Sequence, residues 1–227
     1  MSLPTASARA RSAILSRLRA ATPVEVPAPD VAAYYADATT PAREALRERF
    51  IAQARGWRAE VIETDTAGWP AVLAAVLAAK PVRRLMAGRG TPIADALPSA
   101  AQDVTLDWYD APIETLKPAL FDTVDAGITT TLGGIAETGS LVLWPDVREP
   151  RTLSLLPPIH IAVLREETLH STLHDVMQRQ QWAEGLPTNA LLVTGPSKTA
   201  DIQRLLVYGA HGPRELVILL LRAETPA

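Results

Sequence analysis

The C-terminal part of the chain has the sequence Asn189-Ala190-Leu191-Leu192-Val193-Thr194-Gly195-Pro196-Ser197-Lys198-Thr199-Ala200-Asp201-Ile202 and, shortly afterwards, His211-Gly212-Pro213-Arg214-Glu215-Leu216-Val217-Ile218-Leu219-Leu220-Leu221. The apolar runs at its two ends are typical of strands buried on both faces of a parallel sheet. Between them, the spacing of Ile202, Leu205 and Leu206 ahead of Gly209 predicts a helix over 201–208. A strand, helix and strand in this order predict loops at the carboxyl ends of the strands, where parallel sheets bind ligands.

The preceding part of the chain alternates between helical and strand patterns. We expect helices over 41–55, 69–79 and 166–181, and strands over 59–62, 82–87, 104–108 and 159–164. The glycine- and threonine-rich segment 127–144 predicts paired strands joined by a tight loop. This alternation predicts a three-layer α/β fold with a largely parallel sheet.

The first residues predict a helical extension of that fold. Residues 1–29 are expected to form an N-terminal helix with a proline-rich linker, and 30–227 the α/β domain. The arginines and serines near the start imitate a transit peptide. Because Ile14, Leu15 and Leu18 would share one helix face, we favour an amphipathic surface helix and expect a cytoplasmic protein.

Composition excludes several classes of function. The chain has 22 basic and 25 acidic residues and a net charge of -3, so we expect no nucleic-acid binding. No apolar run approaches the roughly 20 residues that cross a bilayer, so we expect no membrane span. The chain has no cysteine, which excludes a cysteine-ligated iron-sulfur cluster within it. In a redox reaction, electrons would have to pass through another chain or a diffusible cofactor.

The glycine-rich segment 133–140 contains the first candidate catalytic residue, Glu137. A carboxylate in such a turn can approach a ligand closely and transfer protons, with Thr138, Gly139 and Ser140 contributing ligand contacts. Alternatively, Glu137 and Thr138 only cap the turn through hydrogen bonds to backbone N–H groups.

A second candidate is the predicted strand-to-helix turn at Ser197, Lys198 and Thr199. A helix N-terminus, hydroxyl groups and a lysine would together favour an anion, although the P-loop spacing is not met. The alternative is a capped helix start with an exposed lysine. Asp201 would either orient a neighbouring side chain or favour the first helical turn.

His211 with Gly212 is the third candidate. A histidine in this turn can donate a proton or contact a ligand at neutral pH, or it can merely fix a neighbouring loop. Arg148 and Arg151 have the chemistry to clamp a carboxylate. His170 and His174 lie four residues apart but lack the zinc-protease sequence, so we predict a solvated face and no metal site.

Four motifs in order resemble the lactate utilization protein C family, whose domain is the LUD domain. They are Ile135-Ala136-Glu137-Thr138-Gly139, Leu156-Pro157-Pro158-Ile159-His160, the segment 195–202, and His211-Gly212-Pro213. The resemblance covers about residues 120 to 222. It implies a NagB/RpiA/CoA-transferase-like fold and a part in oxidising L-lactate to pyruvate beside iron-sulfur partner proteins.

The same resemblance implies roles for the candidate residues. Lys198 and the loop amides would hold a small anionic metabolite or an organic cofactor of unknown identity, while Glu137 and His211 handle protons. Two alternatives remain open. One is sugar-phosphate or acyl-CoA chemistry inherited with the fold, and the other is a regulatory subunit that binds a metabolite without transforming it.

Overall fold

The computed structural model of the chain describes residues 5–21, 26–35, 41–200 and 206–223. The chain divides into two compact units, Met1–Thr39 and Thr40–Ala227. The first unit contains the helices α1 (Thr5–Ala20) and α2 (Val31–Tyr35). Ile14 and Leu18 are exposed on α1, and the predicted N-terminal helix is confirmed. The predicted domain boundary between residues 29 and 30 stays a prediction.

The second unit contains the helices α3 to α8 and the strands β1 to β12. The helices are α3 (Arg43–Gly56), α4 (Trp69–Ala79), α5 (Leu97–Ala100), α6 (Ile113–Asp122), α7 (Arg151–Leu155) and α8 (Leu173–Arg179). The strands are β1 (Glu60–Thr64), β2 (Arg84–Gly88), β3 (Thr105–Tyr109), β4 (Ala126–Thr130), β5 (Gly133–Ile135), β6 (Ser140–Leu143), β7 (Ile159–Arg165), β8 (Leu169–His170), β9 (Leu191–Val193), β10 (Lys198–Ala200), β11 (Leu206–Tyr208) and β12 (Glu215–Leu221).

Six strands form a parallel central sheet in the order β1-β12-β7-β4-β2-β3. Its inner strands have continuous apolar runs because both of their faces are covered. In β12, every residue after Glu215 is buried. The predicted three-layer α/β architecture with a largely parallel sheet is therefore confirmed.

The two faces of the central sheet pack against different elements. On one face, Leu73 of α4 and Leu97 of α5 belong to the same core as Leu85 and Ile128. The opposite face packs against α3, α6, α7 and a second sheet with the strand order β8-β5-β6-β9. Side chains alternate across the sheet, so Met86 packs on this second face with α6 and α7.

The strand order creates a crevice at the carboxyl edge of the central sheet. After β2, the chain continues outward to β3, whereas after β4 it continues in the opposite direction to β7. The loops that leave these two neighbouring strands therefore diverge. In open α/β sheets, such a switch point is where ligands bind.

The predicted C-terminal βαβ unit is wrong. β9 is not in the central sheet; it pairs antiparallel with β6, and its three residues are only partly buried or exposed. Residues 206–208, which were predicted to be helical, form β11 and pair antiparallel with β10, so that Lys198 lies opposite Tyr208. Residues 201–205 lie outside the described part of the chain. Short apolar segments fit the helical and the strand period equally well, so pairing with another segment decides which secondary structure they form.

The predicted helix over 166–181 is also shorter than expected. Only Leu173–Arg179 is α-helical, because the preceding residues Leu169 and His170 pair with β5. Glu166, ahead of them, is buried and accepts hydrogen bonds from the Arg47 guanidinium and from the N–H of Ala223. These long-range contacts hold the chain away from a continuous helix.

Candidate functional site

A cavity of about 350 Å³ lies at the switch point of the central sheet. It opens where β2 and β4 end and where β6 returns to the carboxyl edge. Its walls are formed by Thr91, Pro92, Thr129, Thr130, Thr131, Leu132, Leu143, Trp144, Pro145, Asp146, Arg148, Glu149, Ser154 and Gln180. This volume falls in the range of small-molecule sites, and the walls combine apolar surface with a few polar groups, as such sites do.

The end of β4 supplies three consecutive threonines to the cavity. Thr129 is buried, and its hydroxyl oxygen lies 2.9 Å from Nε2 of His160 on β7. The Thr131 hydroxyl donates a hydrogen bond to the backbone oxygen of Val163. Because β4 ends at Thr130, the strict alternation of side chains across the sheet also ends there. Thr129, Thr130 and Thr131 therefore all line the cavity.

The loop 146–149 is held by its first residue. The N–H groups of Arg148 and Glu149 donate to Oδ1 of Asp146 at 2.8 and 2.9 Å, and the Arg148 guanidinium donates to Oδ2. Burial by itself would raise the pKa of Asp146. The hydrogen bonds from Glu149 and Arg148 outweigh burial and lower this pKa, so Asp146 remains ionised.

Glu149 is the carboxyl group held deepest in this loop. It accepts hydrogen bonds from the Thr130 N–H, at 2.9 Å, and from the Thr130 hydroxyl. Burial nevertheless raises the pKa of Glu149, with these two hydrogen bonds acting in the opposite direction and the Asp146 charge reinforcing the rise. A carboxyl group with a raised pKa in a cleft is suited to proton transfer.

Gly88, the last residue of β2, permits the loop to approach the sheet this closely. A Cβ atom on Gly88 would lie 2.3 Å from the backbone oxygen of Arg148 and 2.8 Å from Cγ of Glu149. Any larger residue would push the loop away from β2. The position of Glu149 therefore depends on a glycine 61 residues earlier in the chain.

His160 lies behind the cavity wall, with a side chain only 1% exposed. Burial lowers its pKa to about 4, so the ring is neutral near pH 7. Among the described residues, Nδ1 has no hydrogen-bond partner, whereas Nε2 contacts Thr129. On another side of the cavity, Trp144 packs edge-to-face against Trp182 with ring centroids 5.4 Å apart.

The predicted site around Glu137 lies at the opposite edge of the central sheet. α3 ends just before β1, so its C-terminus is at the amino edge, and a Cβ atom on Gly139 would lie 2.3 Å from the Ala54 nitrogen there. Gly139 also has a φ of 68°. The turn therefore requires glycine for two reasons, the positive φ and the lack of space for a Cβ atom. Glu137 itself is exposed, and its N–H donates to the Ser171 oxygen.

Hydroxyl groups continue from this turn to the neighbouring strand. The Thr138 and Ser140 oxygens are 2.7 Å apart, and those of Ser140 and Thr194 are 2.5 Å apart. Lys198 is exposed, and its Nζ lies 4.0 Å from the centroid of the Trp57 ring. The structure thus brings the Glu137 turn and the start of segment 195–202 to one edge.

The other predicted residues that the structure describes lie at the same amino edge. His211 is exposed and precedes β12, and a Cβ atom on Gly212 would lie 3.1 Å from Cβ of Ser197. The N–H of Ser197 donates to the Pro213 oxygen, so it is not an open helix N-terminus. Thr199 lies in β10, and Asp201 is outside the described residues.

None of the residues predicted at Glu137, Ser197–Thr199 or His211 lines the cavity at the carboxyl edge. Of the two arginines considered as carboxylate clamps, Arg148 lines it, whereas Arg151 donates to the Asn189 side chain. Sequence reasoning missed Glu149, His160 and the three threonines. A usable signal was the polar run that follows the apolar strand β4, since ligand sites lie beyond strand ends.

Among the described residues, no group of three or more His, Asp or Glu side chains is arranged to hold a metal ion. In the same part of the chain, no helix has the length and apolarity needed to cross a bilayer. The side chains that line the cavity include one carboxyl with a raised pKa, a guanidinium, hydroxyls and an indole.

Comparison with known proteins identifies the family. A model of the LUD domain matches residues 30–221, and the chain belongs to the LUD domain family. An uncharacterized protein of Neisseria meningitidis serogroup B is 34% identical over 217 residues, which are 93% of each chain. Lactate utilization protein C of an Exiguobacterium strain is 28% identical over 182 residues, which are 78% of each chain.

A solved structure shares the fold. The crystal structure of a DUF162 family protein from Deinococcus radiodurans is 24% identical and has a TM-score of 0.61. The match covers 80% of this chain and 99% of that chain.

Proposed function

We propose that this chain is a cytoplasmic component of L-lactate oxidation to pyruvate that acts with iron-sulfur partner proteins. Several relatives named lactate utilization protein C support the pathway. The reaction releases two electrons and two protons. Because the chain has no cysteine to bind an iron-sulfur cluster, the electrons pass to redox centres in the partners.

The substrate binds in the cavity at the switch point. The observation that carries this proposal is Glu149, whose raised pKa, hydrogen bonds to Thr130 and place on the wall beside Arg148 suit a general base. Glu149 takes the hydroxyl proton of lactate, and Arg148 attracts the carboxylate. The C–H hydrogen and its two electrons pass together to a hydride acceptor, a diffusible organic cofactor or one carried by a partner protein, which hands the electrons on to the iron-sulfur centres.

The cavity is larger than lactate. Its volume is that of roughly a dozen water molecules at about 30 Å³ each, so a three-carbon acid leaves space for water or for a group from a partner or cofactor. The identity of such a cofactor stays open.

The cluster at the amino edge is a second candidate site. Two observations favour it. The hydroxyl groups of Thr138, Ser140 and Thr194 contact one another close to the segment that contains Lys198. Gly212 packs against Ser197 of that segment. In this alternative, Glu137 and His211 handle protons and Lys198 holds the small anion.

The two candidate sites can be separated by the same substitution at each. We expect Glu149→Gln to lower the rate of lactate oxidation by about a hundredfold or more in a complex reconstituted with iron-sulfur partner proteins, because the variant has no base. The control Glu137→Gln should retain wild-type activity. In the wild type, activity should rise as the pH increases through the raised pKa of Glu149. The pH–activity profile of Glu149→Gln should lack this rise.

Other outcomes point elsewhere. Full activity of Glu149→Gln together with loss in Glu137→Gln moves the site to the amino edge. Lactate binding without turnover in the presence of both partners favours a regulatory subunit. Lactate oxidation by this chain alone contradicts the need for partners.

A further inference from the structure

The hydroxyl groups that line the cavity differ in where their protons point. Four of the five donate to acceptors within the protein. Thr91 donates to the Gly88 oxygen, Thr130 to Glu149, Thr131 to the Val163 oxygen and Ser154 to the Arg151 oxygen. A hydroxyl whose proton is committed in this way presents only lone pairs to a ligand. With the Glu149 carboxyl, these oxygens form an acceptor wall.

The fifth hydroxyl, that of Thr129, is controlled by His160. Either atom of the 2.9 Å contact between Thr129 Oγ1 and His160 Nε2 has the chemistry to be the donor. A neutral imidazole carries its proton on one nitrogen only. A proton on Nδ1 would be a buried donor without an acceptor, which is costly, whereas a proton on Nε2 is satisfied by Thr129. The Nε2–H tautomer is therefore preferred.

This tautomer fixes the direction of the Thr129 hydroxyl. Because Nε2–H donates to the Thr129 oxygen, the Thr129 proton is free to point into the cavity. Thr129 is thus the one lining hydroxyl that can donate to a ligand. Besides this hydroxyl, the lining side chains that carry donor groups are those of Arg148, Gln180 and Trp144.

We infer that the cavity selects 2-hydroxycarboxylates over 2-oxocarboxylates by hydrogen-bond polarity, with His160 as the positioning residue. The inference rests on the proposed use of this cavity for lactate. A ligand carboxylate oxygen accepts from Thr129, and the 2-hydroxyl donates to the acceptor wall at Thr130 and Glu149. A keto oxygen in the same place has no proton to donate and faces lone pairs, so the oxidised product binds more weakly than the substrate.

Binding of three sodium salts tests the selectivity. L-Lactate, propionate and pyruvate share a carboxylate and differ at the second carbon in having a hydroxyl, only hydrogens, or a keto oxygen. By calorimetry on the purified chain, we expect L-lactate to bind at least about tenfold more tightly than pyruvate, with propionate between them or level with pyruvate. Thr129→Val should weaken all three by a similar factor, about tenfold, because it removes the donor to the shared carboxylate.

A matched control and a spectroscopic readout complete the test. Thr152→Val removes a hydroxyl that donates to Tyr109 and does not line the cavity, so it should leave the three affinities unchanged. Independently of any variant, ¹⁵N NMR of the wild-type imidazole should show the Nε2–H tautomer between pH 6 and pH 8.

Three results would overturn the inference. Equal affinities for lactate and pyruvate would remove the selectivity while leaving the proposed site in place. An Nδ1–H tautomer would remove the role of His160. Binding of none of the three salts would overturn both this inference and the proposed use of the cavity.

Discussion

At the scale of single residues, His160 makes the stability of the protein depend on pH. Its folded pKa of about 4 lies below the ordinary value of 6.5, so the unfolded chain binds the proton more readily between these values. The contribution of neutral His160 to the free energy of unfolding is fully present above about pH 6.5 and is lost as the pH falls toward 4.

We expect this effect to cost the wild type about 2 kcal/mol of unfolding free energy between pH 7 and pH 5. His160→Gln removes the titrating group, so its unfolding free energy should lack this part of the decrease. Urea unfolding of both proteins at the two pH values measures the difference. Parallel pH dependences would show that the buried ring does not carry this shift.

Glu149 acts with the opposite sign. Its folded pKa is raised above the ordinary 4.5, so the folded state holds the proton longer and stability falls as the pH rises through this window. The pH dependence of the free energy of unfolding therefore contains opposing contributions from His160 and Glu149. Comparing each single variant with the wild type separates them.

At the scale of secondary-structure elements, the close approach of loop 146–149 to β2 depends on Gly88. A Cβ atom would contact the Arg148 backbone oxygen at 2.3 Å, so Gly88→Ala must displace the loop and with it Glu149. We expect a loss of about 1–3 kcal/mol in unfolding free energy, as in other overpacked sites, together with loss of lactate binding.

Gly56→Ala is the control for this change. Gly56 closes α3, and a Cβ atom there would meet nothing within 4 Å. Since alanine restricts the unfolded chain more than glycine does, the control should be neutral or slightly stabilising. Urea unfolding and calorimetry on both variants provide the comparison, and wild-type binding by Gly88→Ala would contradict the role of the loop.

At the scale of the whole molecule, the α/β core lies within the second compact unit. Within the part of the chain that the structure describes, the buried apolar residues range from Leu46 to Leu221, whereas the family match begins at residue 30 and the compact unit at Thr40. A fragment of residues 40–227 should therefore unfold within about 2 °C of the full chain.

Thermal unfolding of the fragments 30–227 and 40–227 beside the full chain tests this expectation. A large decrease for 40–227 but not for 30–227 would support the predicted boundary between residues 29 and 30. A large decrease for both would show that residues 1–29 contribute to stability.

The strand order of the whole molecule also decides where ligand sites can form. The loops after β2 and β4 diverge because their connections run to opposite sides of the sheet. Thr129 at the end of β4 and the Arg148–Glu149 pair of loop 146–149 come together there although they belong to separate elements. By contrast, His211 precedes β12 and so lies at the opposite edge.

The sequence by itself determined the elements whose pattern is long and unambiguous. The helix Trp69–Ala79 and the buried strand Glu215–Leu221 follow directly from local periodicity and apolar runs. The lack of cysteine excluded a cysteine-ligated cluster, and the ordered motifs indicated the family. These properties are carried by composition or by residues that are near one another within a single segment of the chain.

Only the tertiary structure decided which edge each loop occupies and which groups become buried. Residues 191–193 resembled a central strand but pair with β6, and 206–208 fitted a helix but pair with β10. The pKa of Glu149 and the tautomer of His160 depend on Thr130, Gly88 and Thr129, which their own segments do not contain. Burial and strand pairing are long-range properties, so local periodicity does not encode them.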